Sequence, residues 1–248
     1  MGTQAVPLSS LGLTAKGGGN PPVTGISVDS RQVQPGTLFA AIPGSKVHGA
    51  EFIQYALRMG AVAVLTDAAG AALAADALAQ AKVAVVVTDA PREALSRAAA
   101  LWYGAQPQAM IAVTGTNGKT SVSTFVRQIW IEMGLAAVNL GTTGVEGAWA
   151  APLAHTTPEP ITLHRTLAEA SANGITHAAM AKAGIDHAAM EASSHGLDQR
   201  RLDGVTLNAA GFTNFTQDHL DYHETFDAYF DAKAGLFSRV LPEDGTAV

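Results

Sequence analysis

The sequence predicts an α/β protein in which a small α/β unit precedes a larger unit with a parallel sheet around a phosphate-binding loop. Two observations carry this prediction. Short β-branched runs alternate with helical patterns along most of the chain, and a glycine-containing loop stands between an apolar run and an amphipathic stretch. With 248 residues, of which 48% are hydrophobic and 15% charged, the chain is long enough to bury the cores of two domains.

The first unit is predicted to span residues 1–106. Its elements follow the change between β-branched runs and helical periodicity: strands at 23–28, 37–42, 61–66 and 83–88, and helices at 50–59, 71–80 and 92–103. The alanine-rich stretch 68–82 has low complexity, but it favours a surface helix because alanine has the highest helix propensity. The turn cluster Gly-Ala-Gln-Pro at 104–107 predicts the boundary between the domains.

The second unit is predicted to span residues 107–248. Its elements again alternate, with strands at 110–113, 136–140, 188–192 and 207–213, and helices at 122–133, 161–171 and 225–236. Such alternation indicates a parallel sheet covered by helices. Residues 245–248 resemble the opening of another strand, so we expect a sheet that is truncated at its C-terminal end.

A short repeat lies in the second unit. The sequence G-I-T-H-A-A-M at 174–180 recurs ten residues later as G-I-D-H-A-A-M at 184–190. Two copies are too few for a solenoid, so a tandem duplication explains them best. Only one copy can form the strand that runs into Glu191, and contiguity predicts the second copy.

The loop between the strand at 110–113 and the next helix predicts a nucleotide site. Glycines allow a tight turn that aims backbone N–H groups at phosphate oxygens, and the helix N-terminus adds partial positive charge. Val113 stands where a strict motif has its first glycine, so the loop is a T-G-T-N-G-K-T variant. The alternative is a glycine turn followed by a surface lysine. The candidate nucleotide-binding residues are Gly115, Thr116, Asn117, Gly118, Lys119, Thr120 and Ser121.

Within this loop, two side chains have predicted chemical roles. Lys119 would reach the β- and γ-phosphates, and the Thr120 hydroxyl would face Mg²⁺.

Glu191 follows an apolar strand, at the sheet edge where open α/β sheets bind ligands. Because a bound nucleotide needs a metal, Glu191 is a candidate Mg²⁺ ligand, the alternative being a surface carboxylate.

Further polar clusters are ambiguous by themselves. Residues 214–223 include Asp218, His219, Asp221 and His223, and the two histidines have the spacing of a helical zinc pair. The sequence has no H-E-x-x-H arrangement and no cysteine, which weakens the hypothesis of a zinc site. The alternative is the start of a helix that is capped by an aspartate. Lys233, Asp29-Ser30-Arg31 and Thr156-Thr157-Pro158 would each pass as surface, turn or cap residues.

Composition excludes several classes of protein. A formal net charge of −6 disfavours a nucleic-acid partner, and the lack of cysteine excludes disulfides and thiolate metal sites. Residues 1–10 lack the basic and apolar regions of a signal peptide, and the apolar runs are too short to span a bilayer. We therefore expect a cytoplasmic protein without membrane insertion.

Taken together, these segments resemble the Mur ligases, the ATP-dependent amide-bond-forming enzymes of peptidoglycan precursor assembly. Among them the resemblance is greatest to the ligases that add the third amino acid, and it covers residues 23–248. The number of these motifs and their order along the chain make the resemblance specific. The segments that carry it are Asp29-Ser30-Arg31, P-G-T-L-F at 35–39, His48-Gly49, the phosphate loop, Gly141-Thr142, Thr156-Thr157-Pro158, and residues 191–201, 214–223 and 231–237.

The resemblance implies a set of site residues. The N-terminal unit would hold the UDP end of the substrate UDP-N-acetylmuramoyl-L-alanyl-D-glutamate, with Ser30 near the uracil. Further contacts to that substrate are implied for Thr156, Thr157, Ser193, Gln199 and Arg201. Thr120 and Glu191 would hold one Mg²⁺, with His219 and Lys233 at a second. Lys119, Glu191, His219 and Lys233 would be the catalytic residues, and Lys233 would be carbamylated by CO₂.

The implied reaction joins the substrate carboxylate to an amino-acid co-substrate, meso-diaminopimelate or L-lysine, through an acyl phosphate made from ATP. The family also has a third, C-terminal domain that this sequence lacks, so we expect the chain alone not to turn over. Folylpolyglutamate synthase is a related alternative, but Asp29-Ser30-Arg31 and Thr156-Thr157-Pro158 argue against it. A non-catalytic nucleotide-binding module is the alternative from another class.

Overall fold

The computed structural model describes residues 5–44, 46–173, 184–218 and 220–248. Its Cα positions divide the chain into two compact units, Met1–Trp102 and Tyr103–Val248. Each unit contains a sheet with parallel strands and helices, which confirms the predicted α/β class. No helix in the described ranges is long and apolar enough to cross a bilayer.

The first unit has a four-stranded parallel sheet in the order β3-β4-β5-β6 and a separate antiparallel pair, β1-β2. Its strands are Val6–Pro7 (β1), Pro22–Val23 (β2), Gly25–Ser27 (β3), Thr37–Ala40 (β4), Ala63–Thr66 (β5) and Ala84–Val87 (β6). Its helices are Ile53–Arg58 (α1), Ala68–Leu73 (α2), Ala75–Gln80 (α3) and Pro91–Tyr103 (α4), with short 3₁₀ turns at Leu8–Leu11, Lys16–Gly18, Ser30–Gln32 and Gly49–Phe52.

The two central strands of this sheet are buried along their whole length. Every residue of β4 and β5 is buried, as expected for parallel strands that are covered on both faces. Phe39 and Val64 form a core with Ile53 and Ala56 of α1. The β-branched runs therefore predicted these strands well because buried parallel strands read as continuous apolar segments.

The alanine-rich stretch forms two helices rather than one. The backbone leaves the helical region at Ala74, with φ −104° and ψ 18°, and this residue separates α2 from α3. Asp67 begins α2, since its side chain accepts a hydrogen bond from the Gly70 N–H at 2.7 Å. A Cβ at Gly70 would lie 2.1 Å from Thr66 Oγ1, so close packing against β5 requires glycine inside this helix.

The second unit has a six-stranded sheet in the order β12-β11-β7-β10-β8-β9, parallel except for the β8-β9 pair. Its strands are Ala109–Thr114 (β7), Ala137–Gly141 (β8), Gly144–Gly147 (β9), His187–Glu191 (β10), Ala209–Phe212 (β11) and Thr246–Ala247 (β12). Its helices are Lys119–Glu132 (α5), Pro160–Ala172 (α6), Ser194–Asp198 (α7), Leu220–His223 (α8) and Phe226–Gly235 (α9), followed by a π-helical turn at Leu236–Val240.

Successive side chains of β10 alternate between the hydrophobic core and the face of the sheet that carries the candidate site. Ala188 and Met190 pack in the core with Leu163 and Leu167 of α6. Because neighbouring residues of a strand point to opposite faces, Glu191 points to the other side of the sheet. Helix α5 contacts β7, β8 and β10 there, so the strand order sets Glu191 beside the first turn of α5.

The antiparallel strand β9 was not predicted. It follows β8 through a two-residue turn, with Gly141 paired to Gly144. Gly144 has φ +101°, a conformation that glycine adopts without strain. The segment 141–147 contains only one β-branched apolar residue, Val145, so its composition gave no strand signal.

The second copy of the repeat forms β10, as its contiguity with Glu191 predicts. Ile185 is 4% exposed and belongs to the core, and its N–H donates to the Asn173 carbonyl at 3.1 Å. The first copy lies outside the described residues. Because Asn173 and Ile185 are already hydrogen-bonded, the ends of α6 and β10 are close enough for a direct connection.

This arrangement predicts that the repeat can be shortened. Deleting residues 176–185 leaves the sequence Asn-Gly-Ile-Asp before His187, which is also the sequence that follows from deleting 174–183. We expect the deletion to leave the free energy of unfolding in urea unchanged or higher, because the strand sequence is regenerated.

A matched pair of substitutions tests the register. Ile185→Ala should lower the free energy of unfolding by about 2–4 kcal/mol because a buried side chain is truncated. Ile175→Ala, at the same position of the first copy, should change it by less than about 0.5 kcal/mol. The reverse order of effects would assign the strand to the first copy.

Candidate functional site

The candidate site lies at the carboxyl ends of the parallel strands β7, β8, β10 and β11, which is the ligand-binding edge of open α/β sheets. A cavity of about 480 Å³ opens at this edge. It is lined by Thr116, Asn117, Gly118, Lys119, Thr120, Thr142, His155, Thr156, Thr157, Glu191, Ser193, His195 and Arg201. The structure thus brings together residues that are separated by up to 85 positions, counted from 116 to 201.

Two glycines of the loop after β7 have positive φ, as a tight turn before a helix requires. Gly115 and Gly118 have φ values of +137° and +86°, and a Cβ at Gly115 would lie 2.0 Å from Thr213 Oγ1. Gly118 immediately precedes α5, whose first N–H groups have no acceptor within the helix. These N–H groups, with the partial positive charge of the helix N-terminus, favour an anion.

Asn214, two residues after β11, fixes the shape of this loop. Its carbonyl accepts from the Thr116 N–H at 2.9 Å, and its side-chain oxygen accepts from the Asn117 N–H at 3.0 Å. Its side-chain NH₂ also donates to the Asn117 carbonyl at 3.0 Å. Sequence reasoning gave Asn214 no role of its own because such loop contacts depend on the pairing of β11 with β7.

Lys119 begins α5 and folds back over the loop. Its Nζ donates to the carbonyls of Gly115 at 2.8 Å and Thr116 at 2.9 Å. Burial lowers the pKa of Lys119, and the negative charges of Glu191 and Asp218 oppose that shift in part. The ammonium therefore lies at the mouth of the phosphate loop, and Ser121 follows it as an exposed residue of the same helical turn.

Glu191 is a buried carboxylate with several donors. It is 1% exposed, and Oε1 accepts from the Thr120 hydroxyl and the Thr142 N–H, each at 3.0 Å. A Cβ at Gly141 would lie 1.9 Å from Oε1, so glycine there leaves room for the carboxylate. Thr142, which sequence analysis noted only within a motif, is thus a direct partner of Glu191 because β8 ends beside β10.

The segment before α6 contacts the same carboxylate region. Thr156 Oγ1 lies 3.1 Å from Thr142 Oγ1. Thr157 is 1% exposed, and its hydroxyl donates to the Glu191 carbonyl and accepts from the Ser193 N–H, both at 3.0 Å. Ser193 begins α7, since its side chain accepts from the Gly196 N–H at 3.1 Å. The hydroxyls of Thr157 and Ser193 therefore have structural partners at the cavity wall.

Arg201 brings a positive charge to this wall. Its Nε and one terminal nitrogen donate to Gln199 Oε1 at 3.2 and 2.7 Å, and its other terminal nitrogen donates to the Thr157 carbonyl. Half-buried Gln199 lies at the end of α7. A guanidinium held in this way can bind an anionic group of a ligand in the cavity.

Lys233 is buried beneath the phosphate loop, although it looked like an ordinary surface residue in sequence. It is 1% exposed, donates to the Gly115 carbonyl at 2.8 Å, and lies 4.5 Å from the centre of the Tyr229 ring. Burial and, to a smaller extent, the charge of Lys119 lower its pKa to about 8, and the charge of Asp218 opposes this shift. An amine with this pKa is neutral in about a tenth of the molecules at pH 7, far more than an ordinary lysine.

Ser30 lies in the first unit, apart from the other candidates in the chain. It begins a 3₁₀ turn and is 9% exposed. Asp29 accepts from the Arg31 N–H at 2.9 Å and pairs with its guanidinium at 2.7 Å. The hydrogen bonds from the Arg31 side chain and backbone lower the pKa of Asp29. Asp29-Ser30-Arg31 is therefore a local, capped turn.

The zinc alternative finds no support where the chain is described. His219 lies outside the described residues, and His223 is 6% exposed with its ring 5.3 Å from that of Tyr229. Among the described residues, no group of three or more histidine, aspartate and glutamate side chains could hold a metal ion.

Comparison with known proteins gives consistent matches. A family model described as Mur ligase middle domain matches residues 113–248, and one described as Mur ligase family, catalytic domain, matches residues 22–103. Two curated relatives, from Brucella melitensis biotype 1 and Agrobacterium fabrum, are each 50% identical over 227 residues, or 91% of this chain. Both are named UDP-N-acetylmuramoyl-L-alanyl-D-glutamate–2,6-diaminopimelate ligase. The chain spans 43% and 42% of their lengths, respectively.

Solved structures agree with these matches. A structure with the same enzyme name superposes with a TM-score of 0.69 at 29% identity, and the match covers 94% of this chain and 45% of that one. A structure of MurF from Acinetobacter baumannii has a TM-score of 0.59 at 19% identity, which shows a shared fold. That match covers all of this chain and 49% of the other.

The close approach of Gly141 to the Glu191 side chain predicts how a methyl group added at Gly141 changes the stability. Gly141→Ala should lower the free energy of unfolding by about 1–3 kcal/mol, because its Cβ would overlap the Glu191 carboxylate. Gly211→Ala, in strand β11 of the same sheet, is the matched control because its Cβ would meet no atom within 4 Å. It should change the stability by less than about 0.5 kcal/mol. Equal effects in urea unfolding would contradict the packing argument.

Proposed function

The chain belongs to the Mur ligase family, and from this premise we propose that it carries the UDP-substrate and ATP sites of a ligase that adds 2,6-diaminopimelate to UDP-N-acetylmuramoyl-L-alanyl-D-glutamate. The observation that carries the proposal is the contact between Glu191 and Thr120 at the end of a phosphate loop. The first relatives also carry that enzyme name, which favours diaminopimelate over L-lysine as the amino acid.

ATP would bind with its β- and γ-phosphates at the loop and the start of α5. Gly115, Thr116, Asn117, Gly118, Lys119, Thr120 and Ser121 form this segment. The Lys119 ammonium, which now donates to two loop carbonyls, would exchange one of them for a phosphate oxygen. Such donors stabilise the charge that develops on a transferring phosphoryl group.

The donor set beside the loop fits Mg²⁺. The Glu191 carboxylate and the Thr120 hydroxyl are oxygen ligands only 3.0 Å apart, and Mg²⁺ prefers one or two carboxylates together with phosphate oxygens. We assign Thr120 and Glu191 to one magnesium ion and His219 and Lys233 to a second. When bound, magnesium would offset the negative charge of the phosphates.

Lys233 would join this site as a carbamate. Its neutral amine would attack CO₂ to form an N–C bond and release one proton, which converts an ammonium into an anionic oxygen ligand. The surroundings support this chemistry, because a side chain that is 1% exposed has a pKa of about 8. A carbamate would also replace the repulsion between Lys233 and Lys119 with attraction.

We assign contacts to the UDP-linked substrate to six residues. Ser30 would lie near the uracil, and Thr156, Thr157, Ser193, Gln199 and Arg201 would contact the rest of the molecule. Four of these residues, Thr156, Thr157, Ser193 and Arg201, line the same cavity as the phosphate loop. The cavity could therefore hold the substrate carboxylate beside the γ-phosphate.

The reaction would have two displacement steps. A γ-carboxylate oxygen of the D-glutamyl residue attacks the γ-phosphorus of ATP, and the bond to the bridging oxygen breaks to release ADP. The amine of diaminopimelate then attacks the acyl carbon, loses a proton and expels inorganic phosphate. Lys119 and the N–H groups at the start of α5 would hold the phosphoryl oxygens through both steps.

The first test compares binding with turnover. Lys119→Ala should abolish amide formation in a chain extended to the length of the relatives, because the phosphoryl charge loses its nearest cation. Calorimetric binding of UDP-N-acetylmuramoyl-L-alanyl-D-glutamate in the absence of ATP should remain nearly intact. Lys16→Ala, an exposed lysine of the first unit, is the control and should affect neither. Unchanged turnover in Lys119→Ala would overturn the nucleotide site.

The calorimetry also separates the proposed ligase from the two alternatives. A non-catalytic nucleotide-binding module and a folylpolyglutamate synthase-like protein should not bind the UDP-linked dipeptide. Failure of the unsubstituted chain to bind it would reject the proposed function.

The second test concerns Lys233. At constant dissolved CO₂, carbamylation measured by ¹³C NMR should increase as pH rises from 7 to 9, because the neutral fraction grows through a pKa of about 8. An ordinary lysine stays almost fully protonated over that range. Lys233→Ala should lack the signal and Lys16→Ala should retain it.

Enzymatic turnover of a Lys233 variant tests the same carbamate by a second measurement. In the longer chain, Lys233→Ala should be inactive and be partly rescued by formate or acetate, whose carboxylate could take the same position. Wild-type activity of Lys233→Ala in buffer free of such anions would contradict the carbamate.

A further inference from the structure

Tyr222, on the short helix α8, makes hydrogen bonds that the proposed reaction does not use. Its hydroxyl donates to Asp198 Oδ2 at 2.8 Å and lies 3.1 Å from Gln199 Nε2, which donates to it. Asp198 and Gln199 are at the end of α7. Tyr222 therefore links the α8 segment to the residues that lead into Arg201.

The direction of these bonds determines how the Gln199 amide is oriented. Since an ionised carboxylate only accepts hydrogen bonds, the Tyr222 proton goes to Asp198, and the Tyr222 oxygen is left to accept from Gln199. The amide then presents Oε1 to Arg201, whose Nε and terminal nitrogen donate to it at 3.2 and 2.7 Å. The reversed amide would aim NH₂ at a guanidinium that can only donate.

The backbone around this link is constrained as well. Arg200 and Glu224 are non-glycine residues with φ of +59°, a conformation that costs free energy and persists only where the surroundings enforce it. Asp203 pairs with Arg200 at 3.2 Å and Arg239 at 3.0 Å, which holds the turn that carries Gln199 and Arg201. The Tyr222 ring also lies 4.0 Å from the ring of His195, a cavity-lining residue.

We propose that Tyr222 is a positioning residue, which sets the Gln199 amide and through it fixes the Arg201 guanidinium at the cavity wall for an anionic group of the UDP-linked substrate. This inference rests on the proposed function of the cavity. It adds a residue that touches no ligand itself and acts only through Gln199 and Asp198.

Tyr222→Phe isolates the hydroxyl, because the phenyl ring can still pack against His195. Dissociation constants for UDP-N-acetylmuramoyl-L-alanyl-D-glutamate and for ATP with Mg²⁺ are measured by calorimetry on the 248-residue chain. We expect the constant for the UDP-linked substrate to rise about three- to tenfold, the range for losing the neutral hydrogen bond from the Gln199 amide to the Tyr222 oxygen. The constant for ATP should not change. Ser238→Ala removes an exposed hydroxyl bond in the same unit and is the control.

A double-mutant cycle identifies the route of the effect. Gln199→Ala should weaken binding of the UDP-linked substrate, and adding Tyr222→Phe to it should cause no further loss, because the hydroxyl acts through the amide. In a chain of the relatives' length, Tyr222→Phe should raise KM for the UDP-linked substrate and leave kcat and the KM for ATP unchanged. A role in overall stability alone would not produce this separation.

The outcomes distinguish the inference from the function on which it rests. If the unsubstituted chain and Gln199→Ala differ in affinity but Tyr222→Phe binds like the unsubstituted chain, the positioning role is wrong and the substrate site stands. Additive losses in the double variant would also overturn the route through Gln199. If the unsubstituted chain does not bind the UDP-linked substrate, both the proposed function and this inference are rejected.

Discussion

The candidate site depends on the hydrogen bonds to the buried carboxylate of Glu191. A charge that is 1% exposed is costly to bury unless donors surround it. The donors come from separate segments: the Thr120 hydroxyl from the helix after the phosphate loop, and the Thr142 N–H from the turn after β8. Thr157 holds the Glu191 carbonyl from the segment before α6. The Glu191 carboxylate therefore ties two chain segments to the cavity, and the backbone carbonyl of the same residue ties a third.

A second constraint comes from two lysines that share one carbonyl. Lys119 and Lys233 both donate to the Gly115 carbonyl at 2.8 Å, so two ammonium groups converge on the back of the phosphate loop. Burial lowers the pKa of each, and the charge of Lys119 lowers that of Lys233 further. Any anion that binds beside them, whether a phosphate or a carbamate on Lys233, reduces this repulsion. These two side chains and the N–H groups at the start of α5 thus favour negative charge beside the loop.

The sequence predicted the parts of this protein whose signals are local. Buried parallel strands such as β4 and β5 are continuous apolar runs, and glycines at Gly115 and Gly118 mark the loop directly. Pairing between distant segments left no such signal. Thr142 contacts Glu191 only because β8 lies beside β10, and Lys233 is buried only because α9 passes beneath the loop. The break between α2 and α3 was missed because alanine favours helix on both sides of Ala74.

Hydrogen bonds within the chain hold the loop in shape, and they determine which of its N–H groups could bind phosphate. Asn214 occupies the N–H groups of Thr116 and Asn117 at 2.9 and 3.0 Å, so these donors serve the fold. The N–H groups at the start of α5 have no acceptor within the helix, and they face the mouth of the loop beside Lys119. We therefore expect an anion to bind at the helix start, while Asn214 fixes the turn before it. Because folding has already ordered the turn, a phosphate would bind without the entropy cost of ordering a flexible loop.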